Sequence, residues 1–240
     1  MSSILSMKEK SSKWPKAIPS LTEEQLRIRD DFMGHWLEVL SNNYSIIERF
    51  NHRYALRSFV ESGRTLEIGA GRGAHLAYER MDQQEYVAQE LRPELAEKIK
   101  GKYPNVQVAI GDCQQKSQFA DAYFDRVLAI HVLEHLPNLP RALDEVRRVL
   151  KPDGLLSVVI PCEGGMAYSI ARRISARRIF EKRYKQSYDW LVACEHINMP
   201  GEILKELGYR FRIVHQNFFP MQFRAVWANL VIGLTLVPLH

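Results

Sequence analysis

The sequence predicts a doubly wound α/β fold, and three observations carry that prediction. From Arg64 onward, short apolar runs alternate with helical segments, the pattern of a parallel sheet with crossover helices. Seven such runs can be counted before the chain ends. The first of them, "TLEIG", leads into Gly69, Gly71 and Gly73, three glycines at alternate positions where such a sheet turns toward a helix. A chain of 240 residues, 46% hydrophobic and 25% charged, is long enough for one large core with terminal elaborations.

Taken in order, the amino terminus "MSSILSMKEKSSKWPKAIPS" mixes Lys, Ser and Pro without the apolar centre of a signal peptide, and predicts a loose tail over residues 1–20. Residues 21–62 read as two helices that cap the main domain. Ser20 followed by Glu23 reads as a capping box, and Leu26, Phe32, Trp36, Leu37 and Leu40 follow at helical spacing. The second helix is expected over "YSIIERFNHRYALRSFVE".

The main domain, 63–240, has strands expected at "TLEIG", "EYVAQE", "VQVAIGD", "FDRVLAIH", "LLSVVIP", "RFRIVHQ" and "WANLVIGLTLV". Helices are expected at "GAHLAYERM", "PELAEKIKGKY", "LPRALDEVRRVL" and "PGEILKELG". Basic residues, then Pro152 and Gly154, stop the third of these. The segment from about 163 to 198 fits no βα unit and reads as an insertion over the substrate. The apolar stretch Ala225 to Val237 is shorter than the ~20 residues that span a bilayer and predicts a strand.

A net charge of +5 suits an anionic ligand but is too small to argue for nucleic acid. Cys113, Cys162 and Cys194 lie far apart and are odd in number, which favours reduced thiols and a cytoplasmic setting. No His or Cys spacing suggests a metal, and no nucleophilic triad can be read off one sequence. Monomer and homodimer are equally compatible with the sequence. Peripheral membrane contact stays open through Trp190 and the Phe218–Phe219 pair.

The glycines imply a ligand lying on backbone N–H groups at the carboxyl end of a sheet. Their spacing is GxGxG, with Glu67 two residues before the first glycine, whereas dinucleotide enzymes favour GxGxxG. "LEIGAGRG", "EYVAQE", "AIGDCQQ", "IHVLEHL" and "RVLKPDGLL" follow one another in an order that resembles the class I S-adenosylmethionine-dependent methyltransferases of the small-molecule type. The resemblance runs from Arg64 to Pro161. It implies a Rossmann-like, mostly parallel seven-stranded sheet with an antiparallel last strand and helices on both faces.

It also implies a cofactor, S-adenosyl-L-methionine, with S-adenosyl-L-homocysteine as product. Glu67, Gly69, Ala70, Gly71 and Gly73 would lie under its methionine moiety. Glu90, 17 residues after Gly73, with Leu91 beside it, would receive the ribose hydroxyls, since a carboxylate offers two acceptor oxygens. Asp112 and Cys113 would meet the adenine, Phe119 would close that side, and Ile130 and His131 would border the reactive end.

Methyl transfer is an in-line displacement in which positioning dominates, and a hydroxyl acceptor gains from a base. His131, at the end of the fourth strand, and His196, just before a helix, are the candidates by virtue of a pKa near neutrality. His135 in "LEHL" reads as structural. The insertion carries Arg172, Arg173, Arg177, Arg178, Lys182, Arg183 and Lys185 interleaved with Tyr168, Tyr184 and Tyr188. Arg172, Arg173, Tyr184 and Tyr188 are the candidate substrate contacts for an anionic acceptor, although charges on several faces also suit a solvated lid. The function expected is methylation of a small molecule on a hydroxyl or carboxyl oxygen, with a phosphate-, sugar- or lipid-linked acceptor in view and no nucleic-acid partner. Alternatives are an RNA- or protein-directed methyltransferase and a cofactor-binding regulator without turnover.

Overall fold

The computed structural model describes residues 14–43 and 45–239. Of the expected tail, residues 1–13 lie outside the described residues, as do the side chains of Leu37 and Leu40. The remainder of that tail runs along the domain. Trp14 packs on the main core, the Lys16 N–H donates to Pro137 O at 2.8 Å, and its Nζ reaches Glu202 at 2.6 Å.

Two helices follow, α1 (Glu23–Asn43) and α2 (Ser45–Ala55). The box that starts α1 sits two residues later than Ser20 and Glu23 suggest. Thr22 Oγ1 accepts from the Gln25 N–H at 3.2 Å, and Gln25 Oε1 accepts from the Thr22 N–H at 3.0 Å.

The seven strands are β1 (Arg64–Ile68), β2 (Glu85–Glu90), β3 (Gln107–Ile110), β4 (Phe124–Ile130), β5 (Leu150–Pro161), β6 (Phe211–Phe219) and β7 (Val231–Pro238). They form one sheet in the order β3-β2-β1-β4-β5-β7-β6. All neighbours pair in parallel except β7, which runs antiparallel to β5 and β6. The apolar carboxyl-terminal run is thus an interior strand, which explains why it has no polar face. It begins later than the hydrophobic run does, because buried Asn229 binds the carbonyls of Phe223 and Ala225 and folds 220–230 into a loop.

The remaining helices of the α/β layers are α3 (Pro93–Lys102) and α4 (Leu139–Val149). The insertion folds into α5 (Met166–Arg172), a π turn over Arg173–Arg177, α6 (Arg178–Tyr184) and α7 (Asp189–Glu195), and α8 (Pro200–Gly208) follows. Successive residues of a strand face opposite sides. Val127 therefore joins the core under α4 and α8, while Leu128 joins the one under α2 and α3.

The helix expected over "GAHLAYERM" is absent, and only a 3-10 turn spans His75–Ala77. Gly71 and Gly73 both have positive φ, so right-handed winding cannot start before Ala74, and Arg80 already leaves it. That leaves too few residues to offset helix nucleation.

Candidate active site

Strand order reverses between β1 and β4, so their carboxyl ends open a crevice in the sheet. The three glycines that line it have different reasons for being glycine. All take positive φ, at +63°, +58° and +71°. A Cβ on Gly69 would come within 2.5 Å of the Val132 side chain, and one on Gly73 within 2.9 Å of Leu76. A Cβ on Gly71 would meet nothing within 4 Å. Gly69 and Gly73 are therefore required by the protein's own packing, and Gly71 alone faces open space that a ligand can occupy. Ala70 between them is buried and anchors the loop by donating its N–H to Gln89 O at 3.0 Å.

Around this loop stand the predicted acids. Glu67 is buried in β1 and accepts from the Tyr86 hydroxyl at 2.8 Å. Burial, with Glu79 and Glu90 nearby, pushes its pKa up to about 8. Glu90 ends β2, buried, with Oε2 accepting from the Gly71 N–H at 2.8 Å and Oε1 from the Arg92 N–H at 3.1 Å. Oε1 also accepts from the Arg92 Nε–H at 3.2 Å, so of a carboxylate's about four acceptor sites one is left, and a second hydroxyl would take the place of the exposed Arg92 side chain.

Leu91 beside it is 60% exposed, an apolar side chain with nothing over it. Asp112 uses Oδ1 for the Gln114 backbone and side-chain N–H groups at 2.9 and 3.0 Å, and no partner is seen for Oδ2 among the described residues. Together with Gln89, Ile110 and Phe119 it lines one cavity. The Cys113 thiol is pushed up to about 12, chiefly by burial, and is not a nucleophile at neutral pH. A cavity of mixed polar and apolar lining, a buried carboxylate at the end of β2 and an open-faced glycine together fit a nucleoside-bearing ligand of the expected kind.

The reactive end is built from β4, β5 and the lid. Ile130 is half-buried at the end of β4. His131 follows at φ +52°, a strained left-handed position that a non-glycine residue adopts only when its surroundings hold it. Its Nδ1 lies 3.1 Å from Glu134 Oε1, and its Nε2 is buried without a hydrogen-bond partner. Burial opposes charge on this ring, but the Glu134 hydrogen bond and the carboxylates of Glu134 and Glu48 outweigh it and raise the pKa. Against the same burial, His131 and its neighbours hold Glu134 at about 2.

His196, delivered by the end of α7, places Nδ1 2.8 Å from Oε2 of buried Glu163, which directly follows β5. Arg172 grips the other Glu163 oxygen. Despite burial, these two partners lower the Glu163 pKa. The His135 Nδ1–H donates to Glu195 O, and the ring packs edge-on to His196 at 5.3 Å. Asn198 does not cap α8, as its place before Pro200 suggests; its amide clamps the Leu133 and Leu136 carbonyls at 2.8 Å each and fixes the turn that carries Glu134.

Of the proposed substrate contacts, only Arg172 joins this cluster. Arg173 is on the outer face. Tyr184 donates its hydroxyl to Asp31 of α1, and Tyr188 is buried against Phe32 and Phe180, so both tyrosines hold the lid to α1. Trp190 packs on Phe180, Phe218 is buried, and Phe219 lies against Phe50, which removes all three as membrane anchors.

The sequence reading passed over Glu134, Glu163 and Glu48. "HVLEH" contained a signal for the first, since His131 and Glu134 are three apart. Glu163 and His196 are 33 apart, and nothing local links them.

Residues 66–158 match the family model described as a methyltransferase domain. Over that segment the chain is similar to methyltransferase domains. Over 47 residues, 20% of the chain and 14% of the relative, it is 45% identical to the sterol 4-C-methyltransferase strm-1 of Caenorhabditis elegans. It is also 29% identical over 140 residues to a probable phthiotriol/phenolphthiotriol dimycocerosates methyltransferase 2 of Mycobacterium ulcerans, covering 53% of this chain and 54% of that one. The chain thus spans about half or less of the length of these relatives.

Among solved structures, the chain resembles the Burkholderia thailandensis 1,6-didemethyltoxoflavin-N1-methyltransferase, solved with 1,6-didemethyltoxoflavin and S-adenosylhomocysteine. The TM-score is 0.59 at 17% identity, over 94% of this chain and 93% of that one, a likeness of fold. No helix among the described residues is long and apolar enough to cross a membrane, and no group of His, Cys, Asp and Glu among them could hold a metal.

Proposed function

We propose that the chain is a methyltransferase that moves a methyl group from S-adenosyl-L-methionine to an oxygen of a small, largely apolar acceptor. The Glu163–His196 pair at the carboxyl end of β5 carries this reading. With Nδ1–H donated to Glu163, the imidazole keeps its lone pair on Nε2, the form that removes a hydroxyl proton. Arg172 holds Glu163 ionised, and Glu163 in turn stabilises the imidazolium that forms.

His131 borders the same space from β4 with a free Nε2 and orients the acceptor or serves as the second base. Gly71, Glu90, Leu91 and Asp112 would hold the cofactor, and Glu67 would meet its ammonium group. The cofactor supplies a methyl carbon made electrophilic by a sulfonium. The chain's own contribution is to align it, exclude water and remove the proton.

The internal pairing of Arg172 with Glu163, Arg177 with Asp189 and Arg183 with Asp31 takes three of the insertion's cations away from a bound RNA or phosphate. That weighs against the RNA-directed alternative and against a phosphate-bearing acceptor. The relatives named for a sterol and for phthiotriols support an apolar acceptor; the first is named for transfer to carbon, so the choice of oxygen rests on the Glu163–His196 pair alone.

The test is methyl incorporation from labelled cofactor into a panel of apolar alcohols, with binding of S-adenosylhomocysteine measured by calorimetry. Glu163→Gln and His196→Ala should each lower turnover about 100-fold or more and change product affinity little. Unchanged turnover in both folded variants would remove the base from the mechanism.

A further inference from the structure

The outer face of the lid is apolar where a lid in water should not be. Met166, Ile170 and Ile174 recur every four residues along α5 and the π turn, so they share one face, and they are 58%, 56% and 70% exposed. Residues at the start of α5 touch the 3-10 turn Val226–Ala228 of the β6–β7 connection, whose Trp227 is 59% exposed. Met221 and Phe223 in the same connection are exposed as well. A surface helix ordinarily turns such residues inward, and an exposed apolar group of this size marks a place where something binds.

Charge tells what that something is. From Gly164 to Phe180 the chain has four arginines and no acidic residue, and from Phe218 to Leu239 it has Arg224 and no acidic residue. Arg173, Arg178 and Arg224 are exposed, and no carboxylate pairs with them among the described residues. Apolar side chains rimmed by unpaired cations, with one Trp among them, complement an anionic lipid surface, into which the apolar groups insert while the arginines stay at the headgroups.

An open cleft adjoins this face. Gly164, Gly165, Met199, Val226 and Trp227 line it together with Glu163, the carboxylate that orients His196. Trp227 of the exposed patch and the carboxylate of the base dyad therefore line one open cleft.

We infer that the α5 ridge and the Trp227 loop dock the protein on an anionic membrane surface, so that an apolar acceptor passes from the bilayer through the Glu163 cleft to the methyl donor. The purpose of the surface rests on the methyl-transfer reading above; the docking itself does not.

The experiment is co-sedimentation of the full chain with phosphatidylcholine vesicles, with and without phosphatidylglycerol, alongside calorimetry with S-adenosylhomocysteine. Wild type should pellet with the anionic vesicles only, less so at high salt. Ile170→Asp/Ile174→Asp and, separately, Arg173→Glu/Arg178→Glu should reduce vesicle binding roughly tenfold or more while product affinity stays within about twofold. Trp227→Phe should remove the blue shift of tryptophan emission that vesicles induce.

Failure of wild type to pellet would overturn the docking and leave the methyl-transfer reading standing, whereas vesicle binding without product binding would do the reverse. The docking is equally refuted if both double variants pellet like wild type, if only deletion of residues 1–13 abolishes pelleting, or if light scattering shows a dimer that Ile170→Asp/Ile174→Asp dissociates.

Discussion

Glu67 shows how one buried acid can couple the fold to its ligand. It sits on β1 with one hydrogen bond, from Tyr86, and two other carboxylates near enough to oppose its charge. An acid whose pKa rises from 4.5 to about 8 on folding binds more protons in the folded state than in the unfolded one. The stability it lends is therefore complete below about pH 4.5 and drains away as the pH climbs toward 8. Glu67→Gln keeps an acceptor for Tyr86 and cannot ionise. The variant should melt at least about 2 °C above wild type at pH 8 and close to it at pH 5, as read by thermal unfolding across pH. A constant difference at both values would mean that Glu67 is already ionised in the folded chain. The same substitution removes the anion offered to a ligand's ammonium, so stability gained at pH 8 should be accompanied by weaker cofactor binding.

At the scale of elements, a polar network joins α2 to the middle of the sheet. Arg126 of β4 is fully buried. It pairs with Glu79 at 2.9 Å, donates through Nε to Ser58 Oγ at 2.9 Å, and through Nη2 to Ala55 O, the last residue of α2, at 2.6 Å. Burial alone would raise the Glu79 pKa, but the His75 hydrogen bond and the Arg126 charge hold it down at about 2. His75 stacks in turn on His52 of α2 at 5.4 Å.

The turn after the glycine loop and the cap helix are thereby fastened to one guanidinium. Arg126→Met leaves the Glu79 carboxylate buried without its cation and should cost about 3–5 kcal/mol in urea unfolding. Adding Glu79→Gln should recover part of that loss. A single-variant cost below about 1 kcal/mol would show that water or a neighbour replaces the arginine. Arg126→Lys should also destabilise, because an ammonium cannot reach Glu79, Ser58 and Ala55 in one plane.

For the whole molecule, α1 and the segment from α6 to α7 pack as one body. Phe32 of α1 meets Phe180 edge-on at 5.1 Å, and Asp31 binds both Arg183 and Tyr184. A ligand held in the crevice stabilises the entire fold by mass action. S-adenosylhomocysteine at about 100 times its Kd should add about 2.7 kcal/mol to the unfolding free energy. Glu90→Ala or Asp112→Ala should weaken that binding by about 1–3 kcal/mol through a lost charge-assisted hydrogen bond and shrink the thermal shift at equal concentration. Equal shifts in wild type and both variants would take the two acids out of the binding site.

Local and periodic signals let the sequence by itself determine most elements, although the helix expected over "GAHLAYERM" gave way to a 3-10 turn. The seven strands, their alternation with α3, α4 and α8, and the interior run Val231–Pro238 follow from hydrophobic spacing and turn residues, and Gly69, Gly71 and Gly73 announce the crevice. Local reading fails by small steps at caps, as at Thr22 in place of Ser20, because competing hydroxyls differ by little energy.

Only the tertiary structure decided how side chains distant in the chain meet. It paired Glu163 with His196 and Arg126 with Glu79, turned Tyr184 and Tyr188 inward to α1, and left Ile170, Ile174 and Trp227 facing out. A hydrophobic pattern specifies that a residue is buried or paired, but the partner of a charge or an aromatic ring is set by packing across the fold, which no interval along the chain encodes.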